Sequence, residues 1–180
     1  MHKEEIIPER GLLTFISEGN SNPYSKFYSR KLHLSHKNTV VLGRGYDMKK
    51  LSEKEIYQDL SSIGVPHHKA KTVSKASGLE GIQAQRFVEF YANEVVLSAE
   101  QEFKLFNKQY EEKENELWEF IEKSARRYGT IFLEYVPNYQ REILVDLMFN
   151  GDLDQKTLDF LLPQLKTSID YRRPRIFDLV

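Results

Sequence analysis

Residues 29–50 read SRKLHLSHKNTVVLGRGYDMKK: a basic, histidine-containing run, an apolar β-branched segment, then a Gly-Arg-Gly turn that ends in a tyrosine and one aspartate. Within it TVVLGRGYDM (39–48) reads as a short strand, a glycine-pivoted turn and a second extended piece. β-Branched residues favour the pleated backbone, and closely spaced glycines let the chain reverse sharply. This is the only convincing β signal in the chain. The fold class therefore follows from it: α+β, mainly helical, with one short β-hairpin.

On the N-terminal side, PERGLLTFISEG (8–19) carries Leu12, Leu13, Phe15 and Ile16 at helical spacing, with Pro8 suited to a first turn and Gly19 to a C-terminal stop. Residues 20–38, rich in Ser, Asn, Lys and His, read as loop. On the C-terminal side the periodicity becomes helical. Ser52 to Glu55 and Ser98 to Gln101 are capping-box patterns, and the second opens an amphipathic stretch from about Ala99 to Arg127. Its expected core contacts are Phe103, Phe106, Tyr110, Leu117, Phe120 and Ile121. Pro137 begins another helix closed by Asn150-Gly151, and Asp154 caps a last one. The expected architecture is one domain over 1–180, with a small N-terminal lobe (about 8–65) and a helical C-terminal lobe (about 66–180) joined by the long helix.

Composition excludes several function classes. A net charge of −1 over 180 residues argues against wrapping nucleic acid, and the RRPR run at 172–175 suits a clamp on carboxylates between helices better than a nucleic-acid site. With no cysteine, neither disulfides nor thiolate chemistry operates. No window approaches the ~18 apolar residues of a membrane span, and the N-terminus has no apolar signal-peptide core. The expectation is a chain made in the cytoplasm and carried elsewhere by other machinery. His33 and His36, with His67 and His68 further on, lack the acidic or sulfur partners that complete a metal-ligand pattern, so neither metal nor cofactor is expected.

The chemistry is most visible in the acids that are missing. Between Glu18 and Asp47 there is no Asp or Glu, while Lys26, Arg30, Lys31, Lys37 and Arg44 all fall there. Two carboxylates can divide acid and base work when their settings differ. Glu18 stands where its helix ends, where the negative end of the dipole favours a protonated acid. Asp47 follows the glycine turn among cations and amides, a setting for a base or an electrostatic stabiliser. Arg44 and Tyr46 flank that aspartate. Their functional reading is contact with a saccharide or peptide carboxylate, and their structural reading is a salt bridge and a core ring.

The stretches ISEGN, SRKLH and VVLGRGYDMKKLS resemble the pesticin-like branch of the phage-type lysozyme superfamily, which includes lysozyme domains of bacterial antibacterial effectors. In that branch a helix-terminal EG precedes a TxGxGYD hairpin. The resemblance covers residues 11–52 strongly and continues more weakly through ASGLEGIQAQRFV, YQREILVDLMFNGDL and DYRRPRIFDL. It implies a lysozyme-like fold and a muramidase, which cleaves the β-1,4 bond between N-acetylmuramic acid and N-acetylglucosamine without a cofactor. Carried over by position, Glu18 is the general acid, and Asp47 activates water or stabilises an oxocarbenium-like transition state, with inversion at the anomeric carbon. Arg44, Tyr46, His33, Gln140 and Asn150 would contact the glycan.

The resemblance further implies a monomer with an open groove, peptidoglycan strands as partner, action on the cell wall after delivery, and a cognate inhibitor protein where the chain serves as an antibacterial effector. One departure stands out. The motif threonine lies six residues before the aspartate, where this chain has Val41. Thr39 is the nearest hydroxyl, and in a regular strand it faces the same side as Val41, so a slip or bulge is expected if it is to substitute. The alternative function is a non-hydrolytic peptidoglycan-binding or interaction module that keeps the fold, with Val41 as its trace.

Overall fold

A computed structural model describes residues 6–128 and 138–170. These fall into two compact units divided between Gln109 and Tyr110, a boundary inside the longest helix. The first unit holds α1 (Leu12–Ser17), β1 (His33–Leu34), β2 (Val40–Leu42), β3 (Tyr46–Asp47), α2 (Glu53–Ser62), α3 (His67–Ser74), α4 (Gly81–Tyr91) and the start of α5 (Ala99–Tyr128). The second holds the rest of α5, with α6 (Asn138–Asn150) and α7 (Gln155–Asp170). The described residues are thus α+β and mainly helical, with one small antiparallel sheet.

The hairpin forms where the β-branched run and the glycines place it. Gly43 and Gly45 take φ of 65° and 88°, values that a side chain would strain, and between them Arg44 turns the chain from β2 into β3. A Cβ on Gly43 would also press on Leu105 of α5 at 3.2 Å, so the turn lies directly on that helix.

The sheet has one strand more than the sequence pattern predicts. β1 pairs with β2, His33 opposite Val41 and Leu34 opposite Val40, inside the segment that reads as loop. A two-residue strand has no alternation to read; tertiary pairing alone creates it. The turn between β1 and β2 closes with the Asn38 amide donating to the Ser35 carbonyl at 3.0 Å, and Asn38 is in the left-handed region at φ 54°. Alternation then divides the sheet. Leu34, Val40, Leu42, Tyr46 and Met48 face the core with Ile56, Leu60, Val73 and Leu105, while His33, Val41 and Asp47 stand in one row on the other face.

The helix starts follow their caps. Ser52 and Glu55 form the full reciprocal box at α2, and at α5 the Gln101 amide donates to the Ser98 hydroxyl while the Ser98 amide donates to the Gln101 side chain. Asp154 accepts the Thr157 amide at 2.8 Å and so opens α7, a bond that holds its carboxyl below the ordinary value. Along α5, Phe106, Tyr110, Leu117 and Ile121 are buried as expected. Helix α1 starts later than predicted. Pro8 lies outside it, because Gly11 at φ 72° turns the chain immediately before Leu12. Pro137 and the RRPR run lie outside the described residues. Among the described residues no helix is long and apolar enough to cross a membrane.

Candidate functional site

Asp47 ends β3, half-buried, directly opposite Val41. Its Oδ2 accepts the Thr39 hydroxyl at 2.7 Å and its Oδ1 accepts the Lys49 amide at 2.9 Å. Thr39 reaches this carboxylate with no slip or bulge in the β2–β3 pairing. The strands pair one to one, Val41 with Asp47 and Leu42 with Tyr46. Thr39 is then the diagonal neighbour of Asp47 on the same face, and diagonal neighbours in a twisted antiparallel pair come within side-chain reach. The Thr39 hydroxyl is in turn 2.6 Å from that of Ser35.

Glu18 is the C-cap of α1, half-buried, with its amide donating to the Thr14 carbonyl at 2.9 Å. The connection between this helix end and the hairpin is Arg44. Its guanidinium donates to the Phe15 carbonyl, lies over the Phe15 ring at 3.7 Å, and pairs with Glu102 of α5 at 3.5 Å. It also occupies the space that a Cβ on Gly19 would need. Gly19 is not in the left-handed region, so its requirement comes from the close approach of Arg44 and not from a helix-stop conformation. Glu102, only 2 % exposed, accepts from Ser29 at 2.5 Å and from Arg30 at 3.3 Å, so the buried acid has partners on three sides.

The other expected site residues have defined places. Arg44 is 6 % exposed and spent on the contacts above. Tyr46 is 2 % exposed, on the core face, and its hydroxyl donates to Asp59 at 2.8 Å. His33 lies in the row with Val41 and Asp47, with Nδ1 2.9 Å from the Lys31 carbonyl. Burial holds its pKa below the ordinary imidazole value, against opposing contributions from that carbonyl and from Glu102. Gln140 and Asn150 belong to the second unit, at the two ends of α6, where Asn150 donates to the Asp146 carbonyl. That unit also has a cavity of about 310 Å³, lined by Lys123, Arg126, Arg127, Gln155 and Asp159, none of them a candidate from the sequence. Among the described residues no three His, Asp or Glu side chains gather to hold a metal ion.

A family model described as a domain of unknown function (DUF8812) matches residues 11–168. The chain belongs to that family. The DUF8812 span begins at Gly11, the cap of α1, and takes in the Glu18 helix end, the whole sheet, Glu102 and α6. None of the curated proteins and none of the solved structures matches the chain.

Sequence reasoning missed Glu102 and Ser35. Glu102 carried a signal: it falls three and four residues before the apolar Leu105 and Phe106, a charge on the buried face of an amphipathic helix. Ser35 carried none, because its position depends on β1.

Proposed function

We propose that this chain is a peptidoglycan hydrolase with muramidase activity. In this reading Glu18 protonates the glycosidic oxygen as the bond to the leaving sugar breaks. Asp47 accepts a proton from the attacking water on the opposite side of the ring, which inverts the anomeric configuration. The observation that supports it best is the linkage at Asp47: a carboxylate held by Thr39 and Lys49 on a hairpin whose turn arginine grips the helix end that carries Glu18. Arg44 and Tyr46 then serve by holding the hairpin to α1 and α2, and need not touch the glycan. Delivery to the cell wall, a cognate inhibitor and a monomeric state belong to the same proposal.

Val41 favours a second reading. An apolar side chain stands directly opposite Asp47, where the resemblance puts a hydroxyl, as a glycan-binding module without turnover would tolerate. Muropeptide release from purified peptidoglycan separates the two. The hydrolase reading expects wild type to liberate reducing N-acetylmuramic acid ends and Glu18→Gln to lower the rate by about 10³-fold with an unchanged melting temperature. A folded wild type that binds peptidoglycan and releases nothing favours the second reading.

A further inference from the structure

The hydroxyl pair beneath Asp47 has a direction that follows from counting donors and acceptors. A serine hydroxyl has one proton and two acceptor sites. The Ser35 oxygen accepts the Lys37 amide at 3.1 Å and the Thr39 amide at 3.2 Å, which fills both. Its proton is therefore the one in the 2.6 Å contact with Thr39. Thr39, already receiving that proton, turns its own to Asp47 at 2.7 Å. Two backbone amides of the β1–β2 turn thus orient Ser35, Ser35 orients Thr39, and Thr39 orients the carboxylate.

We infer that Ser35 is a positioning residue for Asp47, acting through Thr39, and that the Ser35–Thr39 pair takes the place of the hydroxyl that Val41 lacks. The inference rests on the hydrolase reading for its catalytic consequence and on hydrogen bonding alone for its structural one. The chain holds the Oδ2 edge of Asp47 against the sheet while Lys49 holds Oδ1, so the remaining lone pairs of the carboxylate keep one orientation toward water. Without Ser35 the Thr39 hydroxyl is free to rotate, and Asp47 loses its fixed donor.

The test uses the full chain in four forms: wild type, Ser35→Ala, Ser35→Thr, and Ser35→Ala combined with Val41→Thr. On purified peptidoglycan, Ser35→Ala is expected to lower kcat roughly tenfold, the loss of the one hydroxyl–hydroxyl bond that orients Thr39, with KM within about twofold. Ser35→Thr, which keeps the hydroxyl, restores kcat. So does the added Val41→Thr, which puts a hydroxyl directly opposite Asp47 and leaves the altered turn untouched. If Ser35 only shaped the turn, Val41→Thr would restore nothing, and that result overturns the inference, as does a Ser35→Ala enzyme with wild-type kcat.

Hydroxyl-proton NMR on the same proteins reads the chain without turnover. A slowly exchanging Thr39 hydroxyl proton in wild type, exchanging faster in Ser35→Ala, upholds the directed chain even if wild type releases no muropeptides, in which case only the hydrolase reading falls. Thr39 hydroxyl exchange that ignores the Ser35 substitution sinks the inference in either case.

Discussion

At the scale of single residues, the Arg44 guanidinium packs against Gly19 and donates to the Phe15 carbonyl at the end of α1. EG reads as a helix stop, yet Gly19 is required because the Arg44 guanidinium fills the position of its missing Cβ. Adding a methyl group must displace a side chain that is ion-paired with buried Glu102 and stacked on Phe15. Breaking one arm of a buried charge network typically costs about 3 kcal/mol, because the remaining acid loses its compensation. Gly19→Ala is therefore expected to lower the free energy of unfolding measured in urea by about that amount, and Gly19→Ala with wild-type stability would remove Arg44 from its proposed role.

His33 supplies the pH dependence at this scale. Its folded pKa lies below its ordinary value, chiefly through burial. As pH falls below about 6.5 the unfolded chain takes up this proton first, so stability present above that pH is lost as pH falls toward the depressed folded value. Thermal unfolding from pH 8 to 5 should show a steeper decline for wild type than for His33→Asn, which keeps a donor for the Lys31 carbonyl without titrating.

Legibility divides along the same line. Glu18, Asp47 and Thr39 were visible as residue types at telling positions. What Arg44 does was not, because a buried ion pair and an exposed sugar contact look alike in one dimension. Its partner Glu102 lies 58 positions further along the chain.

At the scale of elements, local chemistry was legible and tertiary pairing was not. The boxes at Ser52 and Ser98 announce α2 and α5 because capping satisfies amides within four residues, and the hairpin announces itself through Gly43 and Gly45. Strand β1 has no local cause. It exists because His33 and Leu34 find Val41 and Val40, and the turn that brings them there depends on Asn38 at φ 54°. Asn tolerates that region, and a β-branched side chain does not. Asn38→Val should destabilise the chain by about 1–2 kcal/mol, while Asn38→Gly leaves stability within a few tenths of a kcal/mol. Urea unfolding of both variants checks this. The Thr39–Asp47 bond shares the turn, so Asn38→Val should also disturb the Thr39 hydroxyl resonance.

At the scale of the molecule, a net charge of −1 conceals a local field that the structure makes smaller than the sequence suggests. Five cations and no acid lie between Glu18 and Asp47, but Arg30 and Arg44 both point at Glu102, whose one carboxylate offsets one of their two charges. Three lysines remain. Lys26 and Lys37 are exposed, and Lys31 donates to the neutral Asn93 side chain. If the hydrolase proposal holds, attraction to an anionic glycan should therefore depend chiefly on the lysines. Because exposed charges act through solvent, it should fade as the Debye length shrinks from about 30 Å at 0.01 M salt to about 3 Å at 1 M. Reversing Lys26 and Lys37 together to Glu removes two positive charges and adds two negative ones without touching the Glu102 network. Peptidoglycan pull-down at low salt should fall several-fold in that variant and converge with wild type near 1 M salt, with thermal stability unchanged. Binding that stays salt-insensitive in wild type would instead assign glycan affinity to hydrogen bonds and stacking, and the acid-free stretch would then owe its composition to the buried pairings of Arg30 and Arg44.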